Sequence, residues 1–283
     1  MKYISLLLAL CFMAFGIQAQ SGWTRKKKSY FIKTSFNLFS SDKYYNPDGE
    51  KLITARFRQQ SISVYGEYGI SDRLNVIVNF PLLKINSFET SEPVTGIGDL
   101  KVEFKYSLLT KNIPLTFGVA PEFPTGSANK YSKSKINSID QINLPTGDGE
   151  FNIWNTLAAS HSFYPVAAYL SVSSAYNYRT QYRGFRFRDQ LKFNIEAGYK
   201  LLDKVWLNGI VSAQTSVGRP TGTTDFVRGE GTEYTAVSFG AAYEFIKYWS
   251  LSLQAWSYAD FVFDRKNIYS SPTYSIGVFY EIK

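Results

Sequence analysis

Leu100-Lys101-Val102-Glu103-Phe104-Lys105-Tyr106-Ser107-Leu108 is the stretch on which the fold turns. Apolar or aromatic side chains occupy every even-numbered position, and charged or hydroxyl side chains every odd one. Neighbouring side chains of a β-strand point to opposite faces, so this period of two describes a strand with one apolar and one polar face. On a helix, Lys101, Glu103 and Lys105 would be scattered around the circumference.

The same pattern recurs in both directions along the chain. Tyr30, Ile32, Thr34, Phe36 and Leu38 alternate with Phe31, Lys33, Ser35 and Asn37. Ile62 to Ile70 and Leu74 to Phe80 repeat it, as do Leu191, Phe193, Ile195, Ala197 and Tyr199 against Lys192, Asn194, Glu196 and Gly198. Val237 to Phe245 alternate in the same way against Ser238 to Glu244. Further strands are placed at about 115 to 123, 151 to 163, 166 to 178, 205 to 214, 249 to 258 and 273 to 282, giving twelve. In the clear cases the apolar face carries no charge.

A soluble sandwich also alternates, so the connections decide. Short ones fall at Ser71-Asp72-Arg73, Leu109 to Ile113, Tyr164-Pro165, Leu201 to Lys204 and Ile246 to Tyr248. Between them lie long polar ones, roughly 39 to 59, 83 to 97, 124 to 149, 179 to 189, 215 to 233 and 259 to 272. Short turns on one rim, long loops on the other and an even strand count describe an all-β, antiparallel, up-and-down transmembrane β-barrel of about twelve strands, with periplasmic turns and extracellular loops. In hydrocarbon every backbone donor and acceptor must be paired internally, which a closed barrel achieves. Tyr30, Tyr68, Tyr106, Tyr199, Tyr243 and Trp249 are placed to form interfacial girdles.

Composition agrees. Of 283 residues, 17% are aromatic and only 19% charged, which excludes a disordered chain. Beyond the first residues there is no run of ~18 apolar residues for a membrane-spanning helix. Met1 and Lys2, the apolar stretch from Ile4 to Phe15 and Ile17-Gln18-Ala19 read as a secretory signal over residues 1–19. Residues 20–28, with the Arg25-Lys26-Lys27-Lys28 run, follow as a basic periplasmic tail, and 29–283 form the barrel. The single cysteine, Cys11, lies in the signal, so the mature chain has neither disulfide nor thiol nucleophile. The formal net charge of +8 includes Lys2. For an exported, aromatic-striped chain this excess points to anionic lipid headgroups or an anionic solute, not to nucleic acid.

The C-terminal Ser275-Ile276-Gly277-Val278-Phe279-Tyr280-Glu281-Ile282 is similar to the last-strand signal read by the barrel-assembly machinery, with Gly277, Tyr280 and Ile282 at its marked positions. The final Lys283 departs from the common terminal aromatic. Three segments resemble the outer-membrane proteins grouped as the meta-pathway phenol-degradation or "transporter" family, akin in style to the long-chain fatty acid channel. They are YGISDRLNVIVNFPL (68–82), TGIGDLKVEFKYSLL (95–109) and PLTFGVAPEFPTG (114–126). The resemblance implies passive passage of small, often hydrophobic or aromatic solutes across the outer membrane of a Gram-negative bacterium. The alternatives are a closed barrel with a structural, adhesive or secretion-accessory role through its loops, and a membrane lipid hydrolase.

The residues argue against an enzyme. Barrel hydrolases place His and Ser two positions apart on one strand face, so that the imidazole can take the serine proton. The sole histidine, His161, has Ser160 and Ser162 on the opposite face and Phe163 at plus two. With one histidine and no mature cysteine, no zinc site is expected, and no cofactor. Gly96-Ile97-Gly98-Asp99 lacks the following helix that a phosphate-binding loop needs, and reads as a turn into a strand.

The polar faces supply the candidate site. Lys33, Glu67, Lys101, Glu103, Lys105, Glu122, Lys192, Glu196 and Glu244, with Glu281, face the lumen, either setting the field of a pore or pairing across a filled interior. In the expected loop after residue 179, Arg183, Arg186 and Arg188 are spaced to face one way beside Phe185 and Phe187. Their forked guanidinium groups suit the phosphates of lipopolysaccharide or an anionic solute.

Overall fold

The computed structural model describes residues 21–137, 140–220 and 230–282. The expected signal, Cys11 and Lys283 lie outside the described residues. Twelve long strands run in chain order: β1 Tyr30–Tyr45, β2 Lys51–Gly69, β3 Leu74–Phe88, β4 Leu100–Leu109, β5 Leu115–Phe123, β6 Asn152–Ser162, β7 Ala168–Arg179, β8 Asp189–Leu201, β9 Val205–Val217, β10 Tyr234–Ile246, β11 Trp249–Ala259 and β12 Thr273–Ile282. Each pairs antiparallel with its neighbour in sequence, and β12 pairs with β1 from Tyr30↔Ile282 to Phe39↔Thr273. The sheet therefore closes on itself, leaving no unpaired edge.

Burial is inverted relative to a soluble protein. On β4 the apolar Phe104, Tyr106 and Leu108 are 45 to 49% exposed, whereas Glu103, Lys105 and Ser107 are 4% exposed or less. The same holds around the ring: Ile32, Leu157, Ile195, Phe239 and Ile276 lie outside, while Asn75, Thr156, Asn194, Ser212 and Ser252 lie inside. An apolar belt around a polar interior is stable in lipid and not in water. At the short-turn rim, Tyr68, Tyr106, Tyr199, Tyr243 and Trp249 stand on the outer face, and Tyr280 packs against Tyr30 and Trp249 at 5.8 and 4.9 Å between ring centres.

The first long connection differs from expectation. Most of 39 to 59 is strand, because β1 and β2 run on to a tight turn at Asn46 to Glu50. The Asn46 side-chain oxygen accepts hydrogen bonds from the amides of Asp48 at 3.0 Å and Glu50 at 2.8 Å, and Gly49 takes the positive φ of 88° that the turn requires. Strands of 16 and 19 residues exceed the roughly 9–11 needed to cross a bilayer, so the hairpin projects beyond the apolar belt. At the long-loop rim, Tyr131–Lys133 and Gln141–Asn143 form a small hairpin, Gln181–Tyr182 pairs with Phe185–Arg186, and Val94–Gly96 and Ile268–Tyr269 add to the wall.

Candidate functional site

Inside the barrel, toward the short-turn rim, lies a cavity of about 540 Å³. The pleat of each strand delivers its wall, since inward residues are two apart along a strand and side by side across strands. Lys33, Glu67, Lys101, Glu103, Lys105, Glu196 and Glu281 line it. Three sequence-derived lumen candidates stand elsewhere. Glu122 pairs in register with Lys101 and accepts the Trp154 indole N–H at 2.8 Å, with the Lys101 ammonium 5.3 Å from that ring centre. Lys192 sits farther up β8, opposite Ala175 and Gln214. Glu244 is exposed at the β10–β11 turn, where it accepts the Tyr248 amide at 3.4 Å.

The chamber charges are partly paired. Lys105 meets Glu67 Oε1 at 3.0 Å, and the Asn75 side-chain amide donates to the same oxygen at 2.7 Å. Glu196 accepts the Tyr169 hydroxyl at 2.6 Å and the Asn208 amide at 3.3 Å, with no cation partner among the described residues. Lys33 is 8% exposed and has no carboxylate partner among the described residues. On β12, Gly277 is the register partner of Ser35, and a Cβ there would come within 2.9 Å of the Lys33 side chain and of the Ser35 and Ser252 hydroxyls. Lumen packing therefore gives one member of the C-terminal pattern its own reason to be glycine.

Aromatic side chains were missed as chamber residues. Phe31, Tyr65, Tyr169, Trp206 and Phe279 share the wall with the charges. Phe31 packs on Phe279 at 5.0 Å and Tyr65 at 5.9 Å, and Tyr169 on Trp206 at 5.8 Å. Higher in the lumen, Tyr258 packs on Tyr234 at 5.4 Å and on Trp256 at 4.7 Å, over Ile210 and Ala236. The available signal was parity: each shares its strand face with polar residues and not with the apolar series.

The segment read as a tail crosses the short-turn mouth. At one side, the Ser21 carbonyl accepts from the Thr116 hydroxyl at 3.0 Å, and the Gly22 amide donates to Ser160 Oγ at 2.7 Å. A Cβ at Gly22 would lie 2.2 Å from the Pro114 carbonyl oxygen, so only glycine fits this approach. At the other side, Arg25 bonds Glu67 at 3.1 Å and Glu281 at 2.9 Å, and the Lys27 amide donates to Asp72 at 2.9 Å. Strands β6 and β1 are five steps apart in a ring of twelve, so the segment spans nearly the full opening. Trp23 and Arg25 point into the chamber, Trp23 edge-on to Tyr169 at 5.9 Å, whereas Lys26, Lys27 and Lys28 are exposed.

The long-loop end is narrowed by its own contacts. Arg179 forms an ion pair with Glu150, both side chains essentially buried, and lies 4.4 Å from the centre of the Phe187 ring. Lys84 and Asn86 on the inner wall donate to the carbonyls of Thr146 and Pro145 in the 124–151 connection. The three expected loop arginines do not share one open face. Arg186 pairs with Asp189 at 3.1 Å, Arg188 with Glu230, and Arg183 lies beside the Tyr182 ring. His161 is exposed on the outer face, 4.9 Å edge-on from Phe163, while Ser160 points inward to Ser171 at 2.7 Å.

No protein-family model and no curated protein matches this sequence. Solved structures do match in shape. An outer-membrane channel from Pseudomonas putida F1 superposes with a TM-score of 0.72 at 14% identity, covering 94% of this chain and 100% of that one. The NanC porin gives 0.54 at 11%, covering 89% and 100%. The β domain of the Bordetella autotransporter BrkA gives 0.53 at 7%, covering 90% and 100%. At these identities the likeness establishes the fold: a closed twelve-stranded barrel of the outer-membrane type.

Proposed function

We propose that this protein is an outer-membrane channel for passive passage of small, partly apolar solutes, aromatic compounds among them. The short-turn rim then faces the periplasm and the long loops the exterior. One observation carries the reading: the chamber combines aromatic faces with charged and hydrogen-bonding groups on a single wall. Such a wall suits a solute that is apolar over most of its surface and polar at one edge. The resemblance of segments 68–82, 95–109 and 114–126 to the meta-pathway phenol-degradation group agrees with the same solute class. A terminal strand carrying Gly277, Tyr280 and Ile282 fits delivery by the barrel-assembly machinery.

Reconstitution of the mature protein into planar bilayers tests the reading. Discrete conductance is expected, together with block or uptake of monoaromatic solutes that depends on Tyr169 and Trp206. Silence from a heat-modifiable, folded barrel would favour the closed, loop-presenting role instead.

A further inference from the structure

A second cavity, of about 530 Å³, opens at the long-loop rim between the projecting β1–β2 hairpin and the 260–272 connection. Lys43, Lys51, Arg56 and Arg265 stand in its wall with Asp42, the only carboxylate there, and the hydroxyls of Ser257, Ser270 and Ser271. Arg56 reaches Asp42 at 3.3 Å with both side chains substantially exposed, a pairing that solvent screens. Arg265 is held in place by Asp260, by the Ser270 hydroxyl at 2.9 Å and by the Tyr45 ring at 4.3 Å. Lys43 and Lys51 have no carboxylate partner among the described residues. The cleft thus holds more positive charge than its own carboxylates neutralise.

Its position identifies the ligand. Leu38 and Tyr274 are register partners on the outer face, each about 40% exposed, and end the apolar belt on this side. The next pair, Phe39↔Thr273, is the last between β1 and β12, and Ser270 to Pro272 turn away there. Ser40, two residues beyond Leu38 and so roughly 7 Å along the strand, already lines the cleft. The cleft therefore begins one pleat beyond the apolar belt, with Asp42, Lys43 and Arg56 following along the hairpin.

We propose that this cleft binds the phosphate groups of an outer-leaflet glycolipid of the lipid A type, whose acyl chains lie along Leu38 and Tyr274. Guanidinium forks and ammonium groups pair with phosphate oxygens by charge-assisted hydrogen bonds, and the adjacent apolar ring selects a phosphate that carries lipid over a free one. Arg183, Arg186 and Arg188 are less suited, because Asp189 and Glu230 already engage two of them. The inference rests on the proposed outer-membrane placement.

The test is native mass spectrometry of the full mature barrel in detergent, titrated with diphosphoryl lipid A, with its dephosphorylated counterpart and with inorganic phosphate. Wild type is compared with the Lys43→Gln, Lys51→Gln, Arg56→Gln variant and with Lys247→Gln on the opposite rim. Diphosphoryl lipid A should be retained by wild type and Lys247→Gln, and about ten-fold more weakly by the triple variant, as expected on losing several charge-assisted contacts. Dephosphorylated lipid should not be retained. Equal retention by wild type and the triple variant overturns the proposal, and so does displacement by equimolar inorganic phosphate, which would mark a site for a soluble anion. If the triple variant fails to show a heat-modifiable band, Lys51→Gln alone is used, with a smaller loss expected and none overturning the site. Cell fractionation tests the placement separately: recovery outside the outer membrane defeats the placement, whereas an outer-membrane barrel indifferent to the substitutions defeats only the cleft.

Discussion

Arg25 and Glu281, 256 positions apart, meet at 2.9 Å at the short-turn mouth, so the segment before the first strand is tied to the last strand. The same guanidinium holds Glu67 at 3.1 Å, and all three side chains are at most one-quarter exposed. Hydrogen bonds to charged groups of this kind contribute about 1.5–3 kcal/mol each. Arg25→Ala leaves Glu67 with Lys105 but removes both ties, so residues 21–28 should leave the mouth more often. The expected result is a higher mean single-channel conductance than wild type, and a larger rise when Gly22→Ala is added at the opposite anchor. Lys27→Gln, at an exposed position, should have no effect. Conductance unchanged by Arg25→Ala would mean that the narrowest point lies elsewhere.

A second prediction concerns the buried Arg179–Glu150 pair at the other end. Their side chains are 2% and 0% exposed, with Arg179 Nε donating to Glu150 at 2.9 Å. Removing one partner strands a buried charge, which costs about 3–5 kcal/mol, whereas replacing both by apolar groups of similar volume is often near neutral. Arg179→Met should therefore expose the 124–151 connection to added protease far more than the Arg179→Met, Glu150→Leu double variant. Equal cleavage of the two would show that the loop is held by Lys84 and Asn86 instead.

Acid should loosen the rim where Glu233 meets Lys266. Burial pushes the Glu233 carboxyl up, but the hydrogen bond from Lys266 and that from Thr215, at 2.8 Å, outweigh it and hold the group below its ordinary value. A carboxyl depressed in the folded state contributes stability that is complete above the ordinary carboxylate range and is lost as pH falls through the depressed value. The two backbone hydrogen bonds between Glu233 and Lys266 report on this contact. Their amide protection, corrected for intrinsic exchange, should fall on acidification in wild type and be low and independent of pH in Glu233→Gln. A wild-type profile matching the variant would remove the carboxylate from the account.

What could be read from the chain followed where the solvent imposes a rule. Lipid forces every outward side chain between the girdles to be apolar, so residues 100–108 and 191–199 declare their strands and their faces. Ser40 to Arg56 project into water, where neither face is constrained, and their strand character was hidden. The lumen obeys a weaker rule: it tolerates charge, amide and ring alike. Parity therefore places Glu103 and Glu196 on the inner wall and carries Tyr65 and Trp206 with them, but ring chemistry alone does not separate those two from the girdle aromatics. The crossing of residues 21–28 was hidden for another reason. It depends on contacts to Ser160, Glu67 and Glu281, which are remote in sequence and come together only once the ring has closed.

Gly118 and Glu103 give the most direct test of whether the chamber lies on the conduction path. They stand on adjacent strands, β5 and β4, with Glu103 3% exposed, and a Cβ on Gly118 would lie 2.3 Å from Glu103 Oε1. The obstructing atom is the end of a flexible side chain, so Gly118→Ala can be accommodated by swinging the carboxylate away from the wall. That movement brings a negative charge toward the lumen without changing the number of charges. In a water-filled pore a carboxylate nearer the axis attracts cations more strongly, since its field there is less screened by the wall. Bi-ionic reversal potentials should therefore shift toward cation selectivity in Gly118→Ala and toward anion selectivity in Glu103→Gln. Adding Gly118→Ala to Glu103→Gln should have almost no further effect, because the displaced group is then neutral. Opposite shifts in the two single variants, with the Gly118→Ala shift absent on the Glu103→Gln background, would place Glu103 beside the permeating ion. Identical reversal potentials in all four proteins would put the ion path outside this chamber.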